Sequence, residues 1–273
     1  LATFLSDIGY KRTAEGKEEI VSFDYQKLWD EGRRTAMLPD GTSVQLSADK
    51  DPREVFADWL VSNRNPWFAR NIVNRSWFWL LGRGFFHEPD VMLDDIPPSN
   101  PKLLSQLAKE LMSARYDMKE LFREILNSNA YQLSSIPQSD DPQAEALFAF
   151  YPIRLLDAEV LVDALCQITD STEEYSSAIP EPFTFVPEHQ RSIALADGSI
   201  TRTVLEMVGR PPRDTGMEME RSKKPSAAQR LHLLKTSHIQ RKIQRSEKLR
   251  QLVQSSRHNH REAIAKIYLT ILS

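Results

Sequence analysis

Apolar residues recur at helical spacing along most of the chain, and the densest run lies at residues 65–84. There Trp67, Phe68, Ile72, Val73, Trp77, Phe78, Trp79, Leu80 and Leu81 cover most of a helix circumference at about 100° per residue. The pattern predicts a helix buried nearly all round. Asn65 suits its cap and Pro66 its first turn, while Gly82 and Gly84 offer a left-handed stop. One polar arc of about 140° interrupts the apolar surface, formed by Arg70, Asn71, Asn74 and Arg75. Arginines on a buried helix need partners, because unpaired buried charge is costly. This stripe is therefore a candidate site.

The flanking pattern yields further helices. Asp51-Pro52-Arg53-Glu54 places an N-cap, a proline and an acid ahead of Val55, Phe56, Trp59 and Leu60. Asn100-Pro101 opens an amphipathic stripe of Leu103, Leu104, Leu107, Ala108, Leu111 and Met112. Asp117 with Glu120 reads as a capping box before Leu121, Phe122, Ile125 and Leu126. A helix near Asp157 carries Val160, Leu161, Ala164, Leu165 and Ile168. Residues 171–200 read as loop, since Pro180, Pro182 and Pro187 break a helix. A short helix over 202–208 stops at Gly209. Ser226 with Gln229 opens another, and Asn259 with Glu262 caps a last one carrying Ile264, Ile267, Tyr268 and Ile271. Residues 37–46, around Asp40-Gly41, carry the strongest hairpin signal. The pattern predicts a mainly α fold: an irregular N-terminal portion over 1–50 with a minor hairpin element, then an irregular helical domain over 51–273.

Charge is distributed unevenly. The chain has a formal charge of −3, but residues 221–261 hold twelve Lys/Arg against one acid, Glu247, a net of +11 that leaves −14 elsewhere. A basic helical stretch admits nucleic-acid binding. No reading motif accompanies it, however, and its Leu231, Leu233, Leu234, Leu249 and Leu252 call for burial. The single cysteine, Cys166, excludes an internal disulfide and a multi-cysteine metal cage. Its helical setting reads as a buried thiol. No apolar run reaches the ~20 residues needed to span a bilayer. His87, Glu88, Asp90, Asp94 and Asp95 match no metal-ligand spacing and read as loop acids. The tryptophans read as core residues. The chain opens at Leu1 and reads as a piece of a longer protein.

A second polar group follows in Arg210, Arg213, Asp214, Glu218, Glu220 and Arg221. Opposite charge suggests that it meets the first. A lattice of arginines and carboxylates tying a loop to the helical core is one reading. A ligand or catalytic site, with carboxylates as acid/base and arginines clamping an anion, is the other.

Residues 65–84 also carry the pattern N-P-x-x-A-R-x-x-V-N-R-x-W-x-x-x-x-G-R-G. It resembles the signature of the bacterial domain-of-unknown-function family 1553. Residues 97–134 resemble that family's following block, and 209–222 with 224–234 a later one, in order, so that the likeness spans about 51–273. The resemblance implies a C-terminal module of exported bacterial proteins, common in planctomycete-like bacteria, that also carry c-type cytochrome domains. It brings no known activity. Met217 and Met219 stand where the family often has cysteines, which weakens a thiolate role for that block. The chain lacks a C-x-x-C-H haem attachment pattern, so no cofactor is expected in it. The expectation is a non-haem accessory or interaction module of an extracytoplasmic multidomain protein, with a link to a redox assembly left open and other domains as its partners. The alternatives are an enzyme domain acting on a polar or anionic, glycan-derived substrate through the two polar groups, and a nucleic-acid binder using residues 221–261.

Overall fold

Three capping side chains start three of the helices. Asp51 Oδ1 accepts the Arg53 amide at 2.8 Å, Asn100 Oδ1 the Leu103 amide at 3.1 Å and Asp117 Oδ1 the Lys119 amide at 2.9 Å. Each satisfies an amide that the helix leaves open at its first turn. The computed structural model describes residues 1–6, 8–12, 19–24, 34–47, 49–86, 88–93, 95–177, 186–195, 200–201, 203–210, 220–222, 224–255 and 259–272. Among these the fold is mainly α, and contacts divide it into two units, Leu1–Tyr151 and Pro152–Ser273.

The first unit opens with α1 (Ala2–Leu5) and two antiparallel hairpins, β1 (Ile8–Arg12) with β2 (Glu19–Phe23) and β3 (Arg34–Met37) with β4 (Ser43–Leu46). The second pairs Met37 with Ser43 around Gly41, whose φ of 84° suits a residue without a Cβ. It is the hairpin that the Asp-Gly signal marks. Phe4, Ala36, Leu38 and Leu46 pack with Trp59 of α2 (Pro52–Leu60). A larger core joins α3 (Phe68–Leu81), α4 (Pro101–Ser113) and α5 (Met118–Asn127) through Val73, Trp77, Leu81, Leu104, Leu111, Leu121 and Ile125. Each such side chain contributes about 1.5–3 kcal/mol by leaving water.

Helix α3 differs from its expected form in three respects. Asn65 caps it from outside, accepting the amides of Trp67 at 2.9 Å and Phe68 at 3.2 Å. Gly82, at φ 79°, makes the left-handed stop, but Gly84 serves close approach instead. A Cβ there would lie 2.5 Å from the Phe86 carbonyl oxygen and 2.7 Å from Asn74 Oδ1. Nor is the helix buried all round. Trp77 is 3% exposed and Trp79 43%, because two residues of helix turn Trp79 about 200° away from the face that Val73, Trp77 and Leu81 give to the core.

In the second unit α6 (Ala158–Thr169) packs against α7 (Thr203–Val208), with Ala158, Val162 and Leu205 buried between them. Two residues near the start of the stretch read as loop, Ser176 and Ser177 (β5), pair with Ile200 and Thr201 (β6) at its end. Ser226 and Gln229 complete a reciprocal capping box at the start of α8 (Ala227–Lys235). Then α9 (Ser237–Arg245), α10 (Glu247–Ser255) and α11 (His260–Leu272) follow, with Thr236 and Ser246 as single-residue breaks. The leucines expected to be buried are not all so: Leu231, Leu233 and Leu234 are exposed. The buried positions of this helix are Gln229 and His232 instead. Among the described residues no helix is long and apolar enough to cross a membrane.

Candidate functional site

The polar arc of α3 folds a loop onto its own helix. Asn74 is fully buried; its Oδ1 accepts the Phe86 amide at 3.1 Å and its Nδ2 donates to the Pro89 carbonyl at 3.3 Å. One residue on, Arg75 Nη1 lies 3.2 Å from Asp90 Oδ1, and the Asp90 side chain is 6% exposed. The Arg75 guanidinium also sits over the Trp79 ring, 5.7 Å from its centroid, a cation–π arrangement. Asn71 Nδ2 faces Met92 Sδ at 3.8 Å, and Arg70 is half-buried. The carboxylate that answers Arg75 is thus Asp90, next in the chain to the Pro89 carbonyl that Asn74 holds.

The second group is built around an acid that the sequence reading did not single out. Glu159, 5% exposed, stands in the first turn of α6. Arg221 clasps it with Nη1 to Oε2 at 2.8 Å and Nη2 to Oε1 at 3.1 Å. Arg210 Nε approaches Oε1 at 3.3 Å while its Nη1 donates to the Ile200 carbonyl at 2.7 Å. A fork-to-fork contact of this kind fixes orientation as well as charge. Glu220 is exposed. Arg213, Asp214 and Glu218 lie outside the described residues, as do His87 and Asp94 of the acidic loop. Helical spacing carries the missed signal, since Glu159 shares a face with Val162 and Cys166 at i, i+3 and i+7.

A third cluster, also missed, joins α9 to the loop after α6. Glu173 has a side chain 2% exposed; its Oε1 lies 2.7 Å from His238 Nε2 and 3.0 Å from Lys242 Nζ. The Lys242 ammonium also donates to Ser171 Oγ at 2.8 Å, to the Thr172 carbonyl at 2.9 Å and toward Cys166 Sγ at 3.5 Å. Burial pushes the Cys166 thiol up, with nearby Lys242 opposing, so the thiol stays protonated and is a poor nucleophile. Burial, then the neighbouring His238, lower the pKa of His232; the two rings stand 6.3 Å apart. Two clefts flank the cluster. One of about 590 Å³ runs along α9, and one of about 430 Å³ lies toward Tyr175 and His189. Among the described residues no three His, Cys, Asp or Glu gather as a metal site.

These contacts use carboxylates chiefly to hold arginine, lysine and histidine in place. The sequence model of PSD1, described as a protein of unknown function (DUF1553), matches residues 52–273. The chain belongs to this family. The match takes in the α3 stripe, Glu159 and its arginines, and the α9 cluster, so all three polar groups lie within the DUF1553 region. No curated protein and no solved structure matches the chain.

Proposed function

We infer that this DUF1553 chain is a docking module, a non-haem accessory part of an extracytoplasmic multidomain bacterial protein whose other domains cover its last helix. The observation that carries this reading is α11. None of its residues is buried, and Ile264, Tyr268, Ile271 and Leu272 recur at i, i+4, i+7 and i+8 with exposures of 54–77%. Leu269, 66% exposed, widens the stripe. An apolar stripe this wide is characteristic of a helix that packs against something. The net charge of +11 over residues 221–261 adds a preference for a partner surface with acids around an apolar centre.

The polar clusters support the same reading. Glu159 is engaged by Arg210 and Arg221, Glu173 by His238 and Lys242, and Asp90 by Arg75, which is how a structural lattice spends its charge. Lys242 and Arg250 of the basic segment are likewise engaged, with Glu173 and Glu247, leaving fewer free cations for a nucleic acid. The test is photo-crosslinking in the full-length parent protein, with a benzoylphenylalanine at Leu269 and a control at Gln240. The expected result is a crosslink from position 269 to a peptide of another domain of that protein, absent from position 240. No such crosslink from 269, or equal crosslinking from 240, overturns the reading.

A further inference from the structure

The cleft along α9 is a separate surface from α11, and the residues that line it are all of polar or charged types. Thr169, Asp170, Ser171, Thr172, Glu173 and Glu174 form one wall; His238, Arg241, Lys242 and Arg245 of α9, with Ser246, form the other. Positions 238, 241, 242 and 245 fall at i, i+3, i+4 and i+7, so one helix face presents all four. They are not equivalent. His238 and Lys242 are held by Glu173, and the Lys242 side chain is only 9% exposed. Arg241 and Arg245 are exposed, and among the described residues no acid pairs with either. Arg241 uses Nε on the Ser237 carbonyl at 3.0 Å, which leaves its terminal nitrogens for another acceptor.

Two guanidiniums four residues apart on a helix repel one another, and an anion between them removes that repulsion while accepting charge-assisted hydrogen bonds. The facing wall has the opposite character. Asp170 supplies a carboxylate acceptor, and Thr172 a hydroxyl, to the lining of the same space. Acceptors there suit hydroxyl donors on a ligand, while apolar ligands find no lining to match. A volume of about 590 Å³ lies within the range of small-molecule sites, roughly 300–1,000 Å³. We propose that this cleft binds a small polyhydroxylated molecule bearing one oxyanionic group, of the sugar-phosphate or sugar-acid type, with Arg241 and Arg245 holding the oxyanion and the 170–174 wall taking its hydroxyls.

Isothermal titration of the chain with glucose 6-phosphate, glucuronate, glucose and inorganic phosphate tests it. The expected result is saturable binding of glucose 6-phosphate or glucuronate and none of glucose. The Arg241→Gln/Arg245→Gln double variant weakens that binding about tenfold or more, in line with the loss of charge-assisted bonds, and far-UV circular dichroism shows it folded. Arg250→Gln, which removes the partner of Glu247 outside the cleft, leaves binding unchanged. In the unaltered chain, glucose 6-phosphate shifts the amide NMR signals of Ser171, Thr172 and Glu174. The proposal is overturned by the absence of saturable binding with both anionic sugars, or by equal binding in the double variant. Inorganic phosphate bound as tightly as glucose 6-phosphate overturns the assignment of the acidic wall to hydroxyl recognition.

Discussion

Arg221 closes on Glu159 through two parallel contacts, 2.8 and 3.1 Å, across 62 positions of sequence. Arg210 shares the same carboxylate and is itself 9% exposed. Removing Glu159 therefore takes one shared carboxylate from a buried cation and a half-buried cation together. Glu159→Ala is expected to cost about 3–5 kcal/mol in urea unfolding. Arg221→Ala leaves Arg210 on the acid and costs less, about 1.5–3 kcal/mol. The double variant falls short of the sum, as residues in direct contact do; strict additivity would show that the clasp contributes nothing beyond packing.

Trp77 and Trp79 separate the two faces of α3. Trp77→Ala empties a site in the core and is expected to cost about 3–5 kcal/mol. Trp79→Ala removes a ring already 43% in solvent and with it the contact with Arg75, for about 1 kcal/mol or less. Denaturation of the two variants side by side checks the order, and equal losses would contradict it.

Gly84 stands against Asn74 too closely for any side chain. With Phe86 O at 2.5 Å and Asn74 Oδ1 at 2.7 Å from a built Cβ, Gly84→Ala must displace backbone or the amide that holds the loop. Its expected cost is about 1–3 kcal/mol, the range for overpacking a tight site. Gly41→Ala meets open space and pays only for its positive φ, about 1 kcal/mol. Thermal melts of both rank them.

His232 gives the second unit an acid-sensitive element. Burial and His238 lower its pKa below the ordinary value near 6.5, so the folded chain binds fewer protons there than the unfolded chain. Its contribution is whole above about pH 6.5 and declines as pH falls below, since the unfolded state then gains the proton first. Between pH 7 and pH 5.5 the urea midpoint of the unaltered chain should fall further than that of His232→Gln. Parallel curves for the two proteins would remove His232 from the account.

Local chemistry made the helices of the first unit legible. Asp51, Asn100 and Asp117 each cap where their type and the following apolar spacing place them, and Asp40-Gly41 turns the β3–β4 hairpin. What stayed hidden depends on contacts distant in sequence. Glu120 fits a capping box by spacing, yet its carboxylate pairs with Arg123. The β1–β2 hairpin carries no strong turn dipeptide. Of the candidate site, the α3 arc was visible because polar residues interrupt an apolar helix. Its partner Asp90 was not, because a loop acid has no periodicity to mark it. Glu173 and His238 come together across 65 positions, and neither sits in a run that singles it out. The exposure of Leu231 and Leu234 is invisible for another reason: hydrophobicity states that a side chain prefers cover, not which surface supplies it.

Asn74 gives the first unit a constraint on how its length can change. Its amide reads two backbone groups of the following segment, at Phe86 and Pro89, while Arg75 reaches Asp90. An inserted or deleted residue between Asn74 and Gly82 would rotate this pair by about 100° relative to the helix end and carry both away from the segment they hold. A change of length in the segment from Gly82 to Pro89 would do the same from the other side. Insertions and deletions should therefore be excluded from residues 74–90 and collect beyond Asp90, so that this stretch is inherited as one block of constant length.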